Sequence, residues 1–139
     1  MAIVVPDVGE VKLLNDLLAG GTLENWTLKL FKNDLTPTDD TVIGDFTEAD
    51  FTNYATKTLT RAVGAGNWGT PATAGGTTSS TYNSGTPLSW TCGASGNTIY
   101  GYYVVGATSG TLLFCERFAT ARVLASTDVL NLTPVLQLA

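Results

Sequence analysis

The stretch TIYGYYVVGATSGTLLFCERF, residues 98–118, decides the fold. Two runs rich in aromatic and β-branched residues, 98–105 and 111–118, flank Ala107, Thr108, Ser109 and Gly110. Small and polar residues of that kind reverse the chain, so the stretch predicts two consecutive strands joined by a tight turn. Successive side chains of a strand point to opposite faces. Tyr100 and Tyr102 therefore share one face, and Ile99, Tyr103 and Val105 share the other. One face must be core. The other meets solvent or a partner, and because tyrosine is enriched at interfaces, Tyr100 and Tyr102 are candidate contact residues.

The same pattern continues on both sides. Residues 88–92 (LSWTC) predict a strand, and 93–97 a turn of hairpin length. Downstream, strands are predicted at 119–124 and 129–138, split by a turn at 125–128. Pro134 cannot donate to a ladder, which makes the last strand an edge or a bulged one. Upstream, Trp26, Leu28 and Leu30 alternate with Thr27, Lys29 and Phe31, predicting a strand over 24–32. Residues 33–45 read as a loop. Residues 46–51 read as a short helical turn capped by Thr47 and anchored by Phe46 and Phe51. Thr-rich alternation over 54–61 predicts a further strand.

Residues 62–115 carry no charge at all. Within them, 64–84 is rich in Gly, Thr, Ser and Ala, with Trp68 and Tyr82 its large side chains. Disordered segments normally carry charge and lack tryptophan. Irregular loops with one or two short strands, pinned by Trp68, are expected. A large side chain exposed on a polar loop marks a partner site, which makes Trp68 and Tyr82 contact candidates.

The N-terminus differs. Asp7 and Glu10 are spaced like a capping box, and Val11, Leu14, Leu17 and Leu18 recur at helical spacing before Gly20-Gly21. A helix is predicted over 8–19. Its apolar stripe must cover the chain's own core or a partner, the core being the default. Ahead of it, the arm Ala2, Ile3, Val4 and Val5 can pair within its own sheet or add a strand to a neighbour's edge. The arm has no basic residues before it and is too short for a signal peptide or membrane span.

Together these segments predict an all-β fold, a two-sheet sandwich of jelly-roll type with seven or eight strands and one short N-terminal helix. Residues 1–139 are expected to form a single domain, with arm and helix occupying about 1–20.

Chemistry is harder to find. The net charge of −5 disfavours nucleic acid and anionic membrane alike. Histidine is absent from the sequence, which removes the commonest general base, Ser-His and Cys-His pairing, and the commonest transition-metal ligand. Neither a G-x-S-x-G elbow nor a phosphate loop occurs. Asp34, Asp39, Asp40, Asp45, Glu48 and Asp50 could hold calcium or do glycosidase work, but their spacing fits no known site, and turn and cap roles in a solvated loop are expected. Cys92 and Cys115 read as buried thiols, or as a disulfide if their strands are neighbours. No enzyme activity, catalytic residue, cofactor or metal is expected.

Several stretches carry a resemblance. Pro6-Asp7-Val8-Gly9-Glu10-Val11 resembles the opening of small structural proteins of tailed phages. So do Leu28-Lys29-Leu30-Phe31 leading to Leu35-Thr36-Pro37, Gly44-Asp45-Phe46-Thr47, residues 100–105 (YGYYVV), and Gly110-Thr111-Leu112-Leu113 with Glu116-Arg117-Phe118. The likeness covers nearly the whole chain outside its Gly/Thr-rich middle. By size and β content the chain is most similar to capsid cement, or decoration, proteins of the small jelly-roll type. That resemblance implies a homodimer on the outer surface of a virion, made in the host cytoplasm, stabilising the capsid by bridging major capsid protein subunits. Nucleic acid and membrane are not implied partners. A tail-fibre, baseplate or head-completion module, and a carbohydrate-binding β-sandwich using tyrosine and tryptophan, are the alternatives. The interface candidates are Ile3, Val4, Val5, Trp68, Tyr82, Tyr100 and Tyr102.

Overall fold

The computed structural model describes residues 3–20, 23–83 and 85–138. Ala2 of the arm and Gly21 of the helix stop lie outside the described residues. The chain is mostly β, with nine strands in three antiparallel sheets and one α-helix among the described residues. The strands are β1 Trp26–Phe31, β2 Lys57–Leu59, β3 Ala72–Ala74, β4 Thr77–Thr81, β5 Leu88–Thr91, β6 Thr98–Gly106, β7 Leu112–Val123, β8 Val129–Leu132 and β9 Val135–Leu138. The helix, α1, is Asp7–Leu18. This is consistent with an all-β sandwich.

The largest sheet has the order β2-β1-β6-β7, with β6 and β7 paired as the opening stretch predicts. β6 is an inner strand covered on both faces, so residues 101–106 are all buried. Tyr102 and Val104 enter the main core with Leu28, Leu30 and Phe114. Tyr103 and Val105 enter a second cluster with Phe31, Phe46, Leu112 and Cys115. The ladder jumps from Ile99↔Arg122 to Gly101↔Arg117, a bulge that breaks the two-residue period and lets Ile99 join the main core beside Tyr102.

Three elements differ from their sequence expectation. Residues 112–123 form one long strand where two were expected. The run 129–138 breaks around Pro134 into β8, which pairs with β5, and β9, which pairs with β4. The missing proline donor ends one ladder, and the Pro134 carbonyl accepts from Tyr82 N at 2.9 Å. Residues 46–51 are not helical, and a 3₁₀ turn lies earlier, at Ile43–Asp45. Ala49 N donates to Leu30 O, and Lys32 N to Thr47 O. These bonds to β1 satisfy the segment's backbone better than a single helical turn could.

The β6–β7 turn is clamped from outside. Glu24 accepts from the backbone N–H groups of Thr108 (2.6 Å) and Ser109 (2.9 Å), and from Ser109 Oγ. Desolvation pushes its carboxyl up, but these hydrogen bonds and Lys12 outweigh that and hold it at about 2. A depressed folded pKa contributes stability that is full above the ordinary glutamate range. It is lost as pH falls from there toward 2. Glu24→Gln is therefore expected to destabilise the fold at neutral pH and to flatten the parent's loss of stability across that acid window. Denaturant melts of both proteins at stepped pH check this.

Cys92 and Cys115 are free and buried, and they belong to different clusters. Burial pushes the Cys115 thiol up to about 12, so it behaves as a small hydrophobe.

Candidate functional site

Helix α1 is turned inside out. Its body-facing side is fastened by a glycine, one leucine and a lattice of charges. Gly9 is the one buried residue of the helix, and a Cβ there would sit 2.2 Å from the Leu113 carbonyl oxygen. Only glycine lets the helix backbone approach β7 so closely. Leu13, one turn on, packs against the main core. Lys12 and Asp16 pair at i,i+4, with side chains only 21% and 9% exposed. Asp16 also takes Arg61 at 3.0 Å, and Lys12 reaches Glu24 at 3.3 Å. The hydrogen bond from Lys12, with help from Arg61, overrides desolvation and lowers the Asp16 pKa. The helix start differs in detail from its expectation. Pro6 occupies the cap position, and Asp7 is the first helical residue, its N–H donating to Asp39 O.

The opposite side carries the leucines. Val11, Leu14, Leu17 and Leu18 are 56–81% exposed, with Val8 and Leu23 exposed beside them. This overturns the default expectation that the stripe covers the chain's own core. At roughly 100 Å² per apolar side chain, the six present on the order of 600 Å². That is at the upper end of the largest patch on an ordinary monomer. Next to it lies an apolar groove of about 300 Å³, lined by Leu23, Trp26, Val63, Trp68 and Leu136. Arg61 lines this groove and also bonds Asp16, which ties the groove's rim to the body-facing side of α1.

Of the residues singled out from the sequence, Trp68 alone lines this groove. Val4 pairs with Cys115 through two backbone bonds of 2.8 and 2.9 Å, and Ile3 and Val5 pack against the main core. The arm thus pairs within its own sheet. Trp68 and Tyr82 are buried rather than exposed, stacked edge-on at 5.3 Å, with Trp68 also edge-on to Trp26. Trp68 Nε1 has no hydrogen-bond partner among the described residues, a burial costing about 1–3 kcal/mol. Tyr102 is fully buried and its hydroxyl donates to Glu116. Tyr100 is half-buried beneath the Arg117 guanidinium. The structure therefore does not gather these residues into one exposed surface.

The acidic segment is dispersed in the same way. Asp34 pairs with Arg117, Glu48 with Lys29 and Asp50 with Lys32, while Asp45 accepts from Val42 N to close the 3₁₀ turn. These four carboxylates serve different partners, and no three acidic or thiol groups among the described residues converge as metal ligands would.

What the sequence reading missed is the direction of the α1 stripe. The signal was Gly9 in register with Lys12, Leu13 and Asp16, because a mid-helix glycine marks close backbone approach and so the inward side.

No known protein-family model matches this chain, and no curated protein matches it in sequence.

Proposed function

We propose that this chain is a non-enzymatic structural protein that docks on other proteins, and specifically that it cements the outside of a tailed-phage capsid. The observation that carries the docking reading is α1, which turns Lys12 and Asp16 to its own body and offers Val11, Leu14, Leu17 and Leu18 to solvent. Contiguous apolar patches of this size are often functional and mark surfaces that bind a partner. Its area is most of the roughly 800 Å² that each side of a standard interface contributes. Repetition over a shell lattice turns modest contacts into strong retention. The assignment of the shell as partner, the jelly-roll description of the sandwich and a homodimer on the virion rest on the sequence resemblance.

The test is the amount of this chain in purified virions relative to the major capsid protein, by quantitative mass spectrometry. The expected result is near one copy per capsid subunit, since only the shell offers hundreds of equivalent sites. A few copies per particle would move the protein to the tail or connector. Absence from particles would reject the virion role.

A further inference from the structure

The exposed side of α1 is acidic at one end and apolar at the other. Asp7 and Glu10 are exposed, and neither enters an ion pair among the described residues. Helical residues four and seven apart share a side. Asp7 therefore stands in line with Val11 and Leu14, and Glu10 with Leu14 and Leu17. Asp39 is tied to the same end by the 3.0 Å bond from Asp7 N to its carbonyl, Asp40 follows it, and both are exposed. The chain's basic residues are engaged elsewhere. Five of the seven pair with other carboxylates, Lys57 covers the Trp90 ring, and Arg122 lines a hollow with Asp128. At the far end, Leu17, Leu18 and Ala19 are exposed, and the last turn of α1 has no basic residue. Between the two ends, Val11, Leu14 and Leu18 have the three-then-four spacing of a coiled-coil seam, flanked by Val8 and Leu17.

On the reading that α1 docks this chain on another protein, we propose that the segment covering it is an amphipathic helix, antiparallel to α1, with Lys or Arg in its last turn. A seam of this spacing receives the side chains of a second helix. The charge follows from the unpaired carboxylates of Asp7 and Glu10, with Asp39 and Asp40 beside them. The direction follows from helix dipoles. Lysine and arginine are favoured in the last turn of their own helix, beside its partial negative charge. Antiparallel packing sets that turn against the acidic end of α1. Parallel packing would need the basic residues in the partner's first turn, where the dipole opposes them. The 12 residues of α1 span about 18 Å, so three to four turns of partner helix cover the face. The α1 of a second copy lacks the required charge, because its exposed side carries acids only.

The probe is a stapled four-turn peptide with leucines at seam positions and two lysines in its last turn. A control peptide carries the lysines in its first turn. Each is titrated into the full chain and mapped by amide hydrogen exchange. Expected is submillimolar binding with α1 amides slowed, and a control about tenfold weaker, the worth of two exposed ion pairs. The difference is expected to vanish near 1 M salt, where charges are screened within about 3 Å. Glu10→Lys, with an unchanged melt, is expected to prefer a peptide with glutamates in its last turn. Equal binding of the two lysine peptides at low salt would overturn the charge and direction. Binding of neither, while glutamate at Leu14 and Leu18 still empties particles, would overturn the helical partner and leave α1 as the docking face. Normal occupancy of that double variant would remove the docking reading and this proposal together. Dimerisation of the chain that Leu14→Glu abolishes would also overturn the proposal, by making a second copy the occupant.

Discussion

If α1 docks this chain on a capsid as proposed, replacing Leu14 and Leu18 together by glutamate is expected to release it from the shell while leaving the fold intact. Both side chains are more than half exposed, and neither belongs to a core cluster. Glutamate is a good helix former, and exposed substitutions away from special features usually change stability by within about 0.5 kcal/mol. The same change at Leu28 or Leu30, both fully buried, would bury an unpaired charge and unfold the chain. On the outward face the penalty appears only when a partner tries to cover the two carboxylates. Central interface residues commonly cost about 2 kcal/mol or more each when truncated, so two together predict a loss of affinity of roughly a thousandfold. The check is paired: thermal melting of the isolated variant, and its copy number on particles assembled in its presence. An unchanged melt with empty particles is the expected pair. An unchanged melt with normal occupancy would remove α1 from the interface.

How much of this was legible follows from what periodicity encodes. The strands around residues 98–118 were readable because their turns have distinctive residues and their runs are long. The α1 boundaries were readable for similar reasons. Periodicity shows that a helix has an apolar side, but not whether that side points inward. Here charge pairing in space, Asp16 with Arg61 and Lys12 with Glu24, decided the orientation, and residues 45 or 12 positions apart carry no local signal of it. Tyr102 illustrates a second limit. Alternation assigns one face of a strand to solvent, but an inner strand with cores on both sides has no such face, and β6 is inner because β1 returns to pair with it. Trp68 and Tyr82 illustrate a third. A Gly/Thr-rich segment looks like exposed loop, yet Trp68 bridges to Tyr82 and both pack on Trp26 and its neighbours. Large aromatic surface drives burial whatever the polarity of its flanks. The joining of 112–123 into one strand and the splitting of 129–138 at Pro134 cancel in the count, and nine strands are reached because the Gly/Thr-rich middle supplies two short ones, β3 and β4.

Gly9 gives the second large effect, and its sign separates a docked helix from a merely adjacent one. In an exposed helix, Gly→Ala is worth about 1 kcal/mol of added stability, because alanine loses less backbone entropy. At Gly9 the new Cβ would stand 2.2 Å from the Leu113 carbonyl oxygen and 2.9 Å from its carbon. Neither is a flexible side chain that can swing away. Leu113 lies within β7 at an irregularity of its ladder with β6, so the helix must yield instead. Lifting it pulls Leu13 off the core and strains the pairs of Asp16 with Arg61 and Lys12 with Glu24. Overpacking of this kind costs about 1–3 kcal/mol, which outweighs the propensity gain. Gly9→Ala is therefore expected to destabilise the chain by about 1–2 kcal/mol net, and Gly9→Val by more. Gly44→Ala is the control, because its Cβ meets nothing within 4 Å. The loss is expected to be local, since α1 rests on one edge of the β body. Hydrogen exchange should show α1 amides losing protection first, with β1 and β6 retaining theirs. A rise in melting temperature for Gly9→Ala would mean that α1 does not sit on Leu113. If the helix face is the docking surface, the same variant weakens shell binding although Leu14, Leu17 and Leu18 are all present, because the face is then no longer held in place.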